Sequence, residues 1–224
     1  MKHTENELLA LKEEVSQMWK LVLSQLEKAK QAFLNGDIEV AREIASREKR
    51  VNAFELKIDS DCENYIALYS PVAVDLRLVL SLIKISNTLE RIGDFAEGIA
   101  RHVIDADCSD INPQMVEELQ LEKMFETLIT MLSDSFVALE TENTRISGKI
   151  LAKDDEVDIL YRNSINILTT YLQANPSLVW CGLKTFLLIR KLERIGDHCS
   201  NIVEEIVFYV DAKVLKHGGA NTNG

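Results

Sequence analysis

The hexamer Leu-Glu-Arg-Ile-Gly-Asp occurs twice, at residues 89–94 and 192–197. A motif kept at two distant places points to a duplicated unit, and the flanking sequence bears this out at coarser grain. Breaks at residues 35–37 (Asn-Gly-Asp), 70–71 (Ser-Pro), 105–113, 141–148 and 175–176 (Asn-Pro) separate six segments of about 30 residues. Each segment carries apolar residues at helical spacing, and 30 helical residues span about 45 Å. Nine Gly and three Pro are too few for a loop-rich β protein. The expectation is an all-α fold of two tandem three-helix bundles related by internal repeat, residues 1–107 and 112–215, with a frayed tail at 216–224. Pro71 and Pro176 sit where the first turn of a helix tolerates proline.

Composition excludes several classes of function. The formal net charge is −11, which opposes a nucleic-acid partner and tight adhesion to an anionic membrane. Cys62, Cys108, Cys181 and Cys199 form no Cys-x-x-Cys pair, so reduced thiols in a cytoplasm are expected. The polar N-terminus does not read as a secretory signal, and the apolar runs "LRLVLSLIKI" and "LKTFLLIRKL" are too short for a membrane span. Phosphate-cradling glycine loops, nucleophile elbows and His-Glu-x-x-His are absent from the sequence. Trp19 and Trp180 read as core.

The direction of the repeated acids is the informative part. Glu90 and Asp94 are four residues apart, so they share a helix face, and the same row runs back through Ile83, Val79 and Leu76. Glu193 and Asp197 likewise extend a row through Ile189 and Phe186. Carboxylates in line with an apolar stripe need a partner. Counted from the turns at 70–71 and 175–176, Glu48 and Asn52 come level with Glu90 and Asp94 across an antiparallel pair, about 30 Å from the turn. Asp154 and Asp158 come level with Glu193 and Asp197 in the same way. Such oxygen-rich sets suit hard cations such as Mg, Ca, Mn or iron, with Glu55, Glu97 and Glu204 as further donors. Intrahelical pairing of Arg91 with Asp94, and of Arg194 with Asp197, explains the same acids without metal. Gly93 and Gly196 stand three after each Glu, where ferritin-like di-iron sites carry His, which disfavours oxidase chemistry. His198 reads as a surface or interface residue. The two glycines suggest close approach of a neighbouring backbone or a bulky cluster.

Residues 71–100, "PVAVDLRLVLSLIKISNTLERIGDFAEGIA", and 188–209, "LIRKLERIGDHCSNIVEEIVFY", resemble the two halves of PhoU-family proteins. The resemblance covers about residues 5–215. It implies a non-enzymatic adaptor with multinuclear metal clusters, of iron or zinc, on E/D-x-x-x-D motifs. Carried over by position, the ligands are Glu90, Asp94, Glu193 and Asp197 on the third helices, Asp154 and Asp158 on the second helix of the second half, and Glu48 and Asn52 in the first. The implied role is to restrain the high-affinity phosphate ABC transporter, through its ATPase subunit, and the phosphate-sensing histidine kinase when phosphate is plentiful. The setting is cytoplasmic, peripheral to the inner membrane through those partners, and apolar bundle faces suggest a homodimer. An accessory role with a different transporter or channel is the alternative. The second half lacks the Asp-Leu-Arg that follows Pro71, so a partner surface using Asp75 and Arg77 would belong to the first half alone; a helix N-terminal charge and an ion pair account for these two equally well.

Overall fold

In the computed structural model, residues 2–105 and 113–215 are described; Cys108, the centre of the 105–113 break and the tail expected at 216–224 lie outside them. Helix α1 spans Lys2–Asn35, α2 Ile38–Tyr69 and α3 Ala73–Ile104. After a short helix α4 (Pro113–Glu118) come α5 (Leu121–Glu140), α6 (Ser147–Ala174) and α7 (Val179–Asp211). Among the described residues there is no strand, and no helix is long and apolar enough to cross a membrane.

Local chemistry sets the boundaries. Asp37 caps α2, its side chain accepting from the Val40 amide, and Gly36 supplies the left-handed turn before it (φ 63°). Pro71 lies outside α3, two residues before its first turn, whereas Pro176 opens a short 3₁₀ turn (Pro176–Leu178) leading into α7. The fourth expected segment is divided. Gln120 adopts a left-handed conformation (φ 51°) between α4 and α5, although no Gly or Pro marks the place.

Each half folds α1–α2–α3 or α5–α6–α7, and α1, α3, α5 and α7 build the seam between halves. Leu11, Val15, Met18, Trp19, Val22 and Leu26 give α1 a fully or nearly fully buried stripe at three-to-four spacing. Trp19 crosses the seam: its ring nitrogen donates to the Leu132 carbonyl of α5 (3.1 Å) and its ring packs on Phe136 (5.5 Å). Helices α3 and α7 run antiparallel, with Arg77 donating to the Tyr209 carbonyl near one end and Lys191 lying on Gly98 near the other. At the middle Phe95 stacks on His198, centroids 5.7 Å apart and planes 26° apart. These are the residues that follow the two hexamers, so the duplicated helices meet back to back at equivalent positions.

Trp180 does not join the core. It is 63% exposed, with the Lys184 ammonium 5.4 Å from its ring centroid. His198 is an interface residue, buried, and not a surface one.

Candidate metal centre

The buried stripe of α2 reads Ala41, Ile44, then Val51, then Ile58, Cys62 and Tyr65. The slots between are filled by Glu48 and Glu55, both half-buried. An apolar stripe interrupted by acids on either side of Val51 delivers two carboxylates to the face of α3 that carries Glu90 and Asp94. Glu90 is held above the ordinary carboxylate range by burial, then by the negative charges of Asp94, Glu55 and Glu48, with Arg91 opposing. Asp94 is raised by burial and then by Glu48 and Glu97, again against Arg91. Glu55 is raised by burial, Asp59 and Asp94. Asn52, neutral, donates to Glu48 along the helix (2.9 Å), while its own carbonyl oxygen is buried without a hydrogen-bond partner.

In the second half Asp154 occupies the stripe slot between Ile150 and Val157. It turns inward: Oδ2 accepts from the Ser200 hydroxyl (2.6 Å), and Oδ1 lies 2.4 Å from where a Cβ on Gly196 would stand. Glu193 is raised by burial, then by Asp197 and Asp158, with Arg194 and Arg190 opposing. Arg162 donates to Asp158 (3.1 Å). Asp94 and Asp197 are both exposed, open to an incoming ligand.

The glycines are explained by side chains, not by neighbouring backbone. A Cβ at Gly93 would meet Val51 at 3.2 Å and the Gln25 amide oxygen at 3.4 Å. At Gly196 the space belongs to Asp154. Gln25, on α1, is fully buried with neither amide atom hydrogen-bonded; as a single polar residue in an apolar stripe, it could have been singled out from sequence. Ser200 carried no such signal. Arg194 stacks on Phe95 of the other half (5.6 Å), so its planar face is engaged across the seam. Of the residues considered for partners, Asp75 is exposed on the first turn of α3, and Arg77 is turned to the C-terminal turns of α7.

The donor chemistry fits a hard cation: mutually repelling carboxylates whose protonation is favoured for want of a counter-charge. The geometry is not closed. Among the described residues no group of three or more His, Cys, Asp and Glu side chains converges tightly enough to hold one ion, so occupation requires rotation of the half-exposed acids.

Comparison with known proteins bears on the whole chain. The PhoU domain model matches twice, at residues 15–103 and 121–206. This chain belongs to the PhoU family. It is 34% identical to the phosphate-specific transport system accessory protein PhoU of Edwardsiella tarda, over 98% of this chain and 91% of that one. The Escherichia coli (strain K12) protein of the same name is 33% identical, over 96% and 88%. The crystal structure of PhoU from Pseudomonas aeruginosa superposes with a TM-score of 0.88 at 28% identity, covering 93% of this chain and 99% of that one. The phosphate transport system regulatory protein PhoU of Streptococcus pneumoniae gives 0.83 at 25% identity, over 96% and 100%. The two matched PhoU ranges each enclose one acid set, Glu48 to Asp94 and Asp154 to Asp197.

Proposed function

We propose that the chain is a non-enzymatic, metal-binding regulator of phosphate uptake and phosphate-starvation signalling. In this reading residues 1–107 and 112–215 are two units, each presenting one carboxylate set. Glu48, Asn52, Glu90 and Asp94 would hold the first metal cluster; Asp154, Asp158, Glu193 and Asp197 would hold the second. Bound cations would neutralise acids that otherwise repel one another and fix the relative setting of the second and third helices. The chain's own residues do the rest: the stripe slots in α2 and α6 aim the acids, and Gly93 and Gly196 let those helices close on α3 and α7. When phosphate is plentiful the loaded adaptor restrains the phosphate ABC transporter through its ATPase subunit and keeps the sensor histidine kinase inactive. It works as a homodimer in the cytoplasm, at the inner face of the membrane through those partners, with iron or zinc as the first candidates for the metal.

The observation that carries the metal reading is the mutual elevation of Glu90 and Asp94, and of Glu193 beside Asp197 and Asp158. The regulatory reading is supported by relatives named as phosphate-specific transport system accessory proteins. Deleting the gene in its host tests it. Phosphate-uptake genes are expected to be expressed in phosphate-rich medium and silenced again by the wild-type gene; unchanged expression in high phosphate contradicts the regulatory role.

A further inference from the structure

The α3–α7 seam is built from repeated helices, so its two ends can be compared position by position. At one end Lys84 pairs with Glu205 (2.9 Å) and lies over the Phe208 ring, closing the surface. The repeat partners of Lys84 and Glu205 at the opposite end are Leu187 and His102. There the acid is gone, and an open cleft of about 270 Å³ remains, lined by Arg101, His102, Asp105, Lys184, Leu187 and Lys191. We propose that this cleft binds a small multivalent oxyanion, with inorganic phosphate or a phosphoryl group as its ligand class.

The lining supports that chemistry. Three cations face one carboxylate, in a chain whose overall charge is −11. Lys191 makes no ion pair among the described residues. Its stem crosses Gly98 so closely that a Cβ there would lie 2.7 Å from Cε; the glycine lets the ammonium reach the cleft. Arg101 is oriented by its i,i+4 pair with Glu97. His102 is anchored by packing on Phe33 of α1 (6.2 Å). Burial, then Lys184 and Lys191, hold its imidazole below the ordinary range, leaving it a neutral ring with one N–H donor at neutral pH. Mobile cations around a neutral donor, over an apolar floor, suit a compact anion with several acceptor oxygens.

The inference stands apart from the metal reading, because these side chains belong to neither acid set. Titrating full-length protein with inorganic phosphate at constant ionic strength, followed by the amide resonances of Gly98 and His102, tests it. A saturable shift is expected that chloride does not reproduce. Lys184→Gln/Lys191→Gln should weaken it about tenfold or more, with helical content and metal content unchanged. A phosphoserine peptide in a parallel arm separates the sources: competition with phosphate assigns the cleft to a partner's phosphoryl group, and its absence assigns it to the free ion. No saturable response, or one that the double variant leaves intact, overturns the proposal.

Discussion

At the residue scale, the two copies of the hexamer have diverged in what their shared letters do. Gly93 faces the branched end of Val51, which can give by a few tenths of an ångström, whereas Gly196 faces a carboxylate oxygen held by Ser200. Gly93→Ala is therefore expected to change stability by no more than about 1 kcal/mol, the helix-propensity gain offsetting mild crowding. Gly196→Ala should cost about 1–3 kcal/mol, because Asp154 must leave its position; urea denaturation measures both, and equal effects would refute the contrast. His198 offers a second test. Burial, then Arg194 and Arg91, depress its pKa to about 4, against about 6.5 when unfolded. The unfolded chain thus takes up the proton first, and the stability contributed by the neutral ring is present above about pH 6.5 and lost as pH falls toward about 4. His198→Phe, which installs the residue found at its repeat partner Phe95, should remove that loss and leave the wild-type difference confined to this window. The hexamer made the acid faces legible in the sequence; the inward turn of Asp154 was not legible, since it depends on a rotamer and on a serine one turn away on another helix.

At the element scale, helix number, order and antiparallel register followed from break positions and segment lengths, because long helices of nearly equal length leave little freedom in how i,i+4 couples line up. Two features escaped that logic. The α4–α5 break lacks Gly or Pro, and a single left-handed Gln120 makes it; propensity carries no warning of such a turn. Trp180, Leu183 and Leu187 repeat at helical spacing as a core stripe does, yet all three are exposed at the start of α7. Periodicity identifies a face and not its covering. The two tryptophans should consequently behave oppositely. Trp180→Ala is expected to shift stability by only about 0.5 kcal/mol or less, and Trp19→Ala to cost about 3–5 kcal/mol. Iodide should quench Trp180 fluorescence and spare Trp19; uniform quenching would contradict the burial of Trp19.

At the scale of the whole molecule, two acid sets sit on the outer sides of a seam formed by α1, α3, α5 and α7. Without metal they are a liability. The carboxyls of Glu90, Asp94 and Glu193 are raised in the folded state, so the folded chain binds protons more readily than the unfolded one. Their contribution is most favourable below the unfolded value near 4 and is lost as pH rises through the folded values. Metal-free Glu90→Gln/Glu193→Gln should therefore be more stable than wild type at neutral pH, with the advantage fading as pH falls toward about 4; thermal melts across that range check the sign. Cations bound to the intact acids would remove the same repulsion at neutral pH. Elemental analysis of natively purified wild type beside Glu193→Gln/Asp197→Asn tests this most directly. The prediction is metal co-purifying with wild type in both sets, and selective loss of the second set's share in the variant. Metal-free wild type that also gains no thermal stability on addition of iron, zinc, manganese, magnesium or calcium would contradict it.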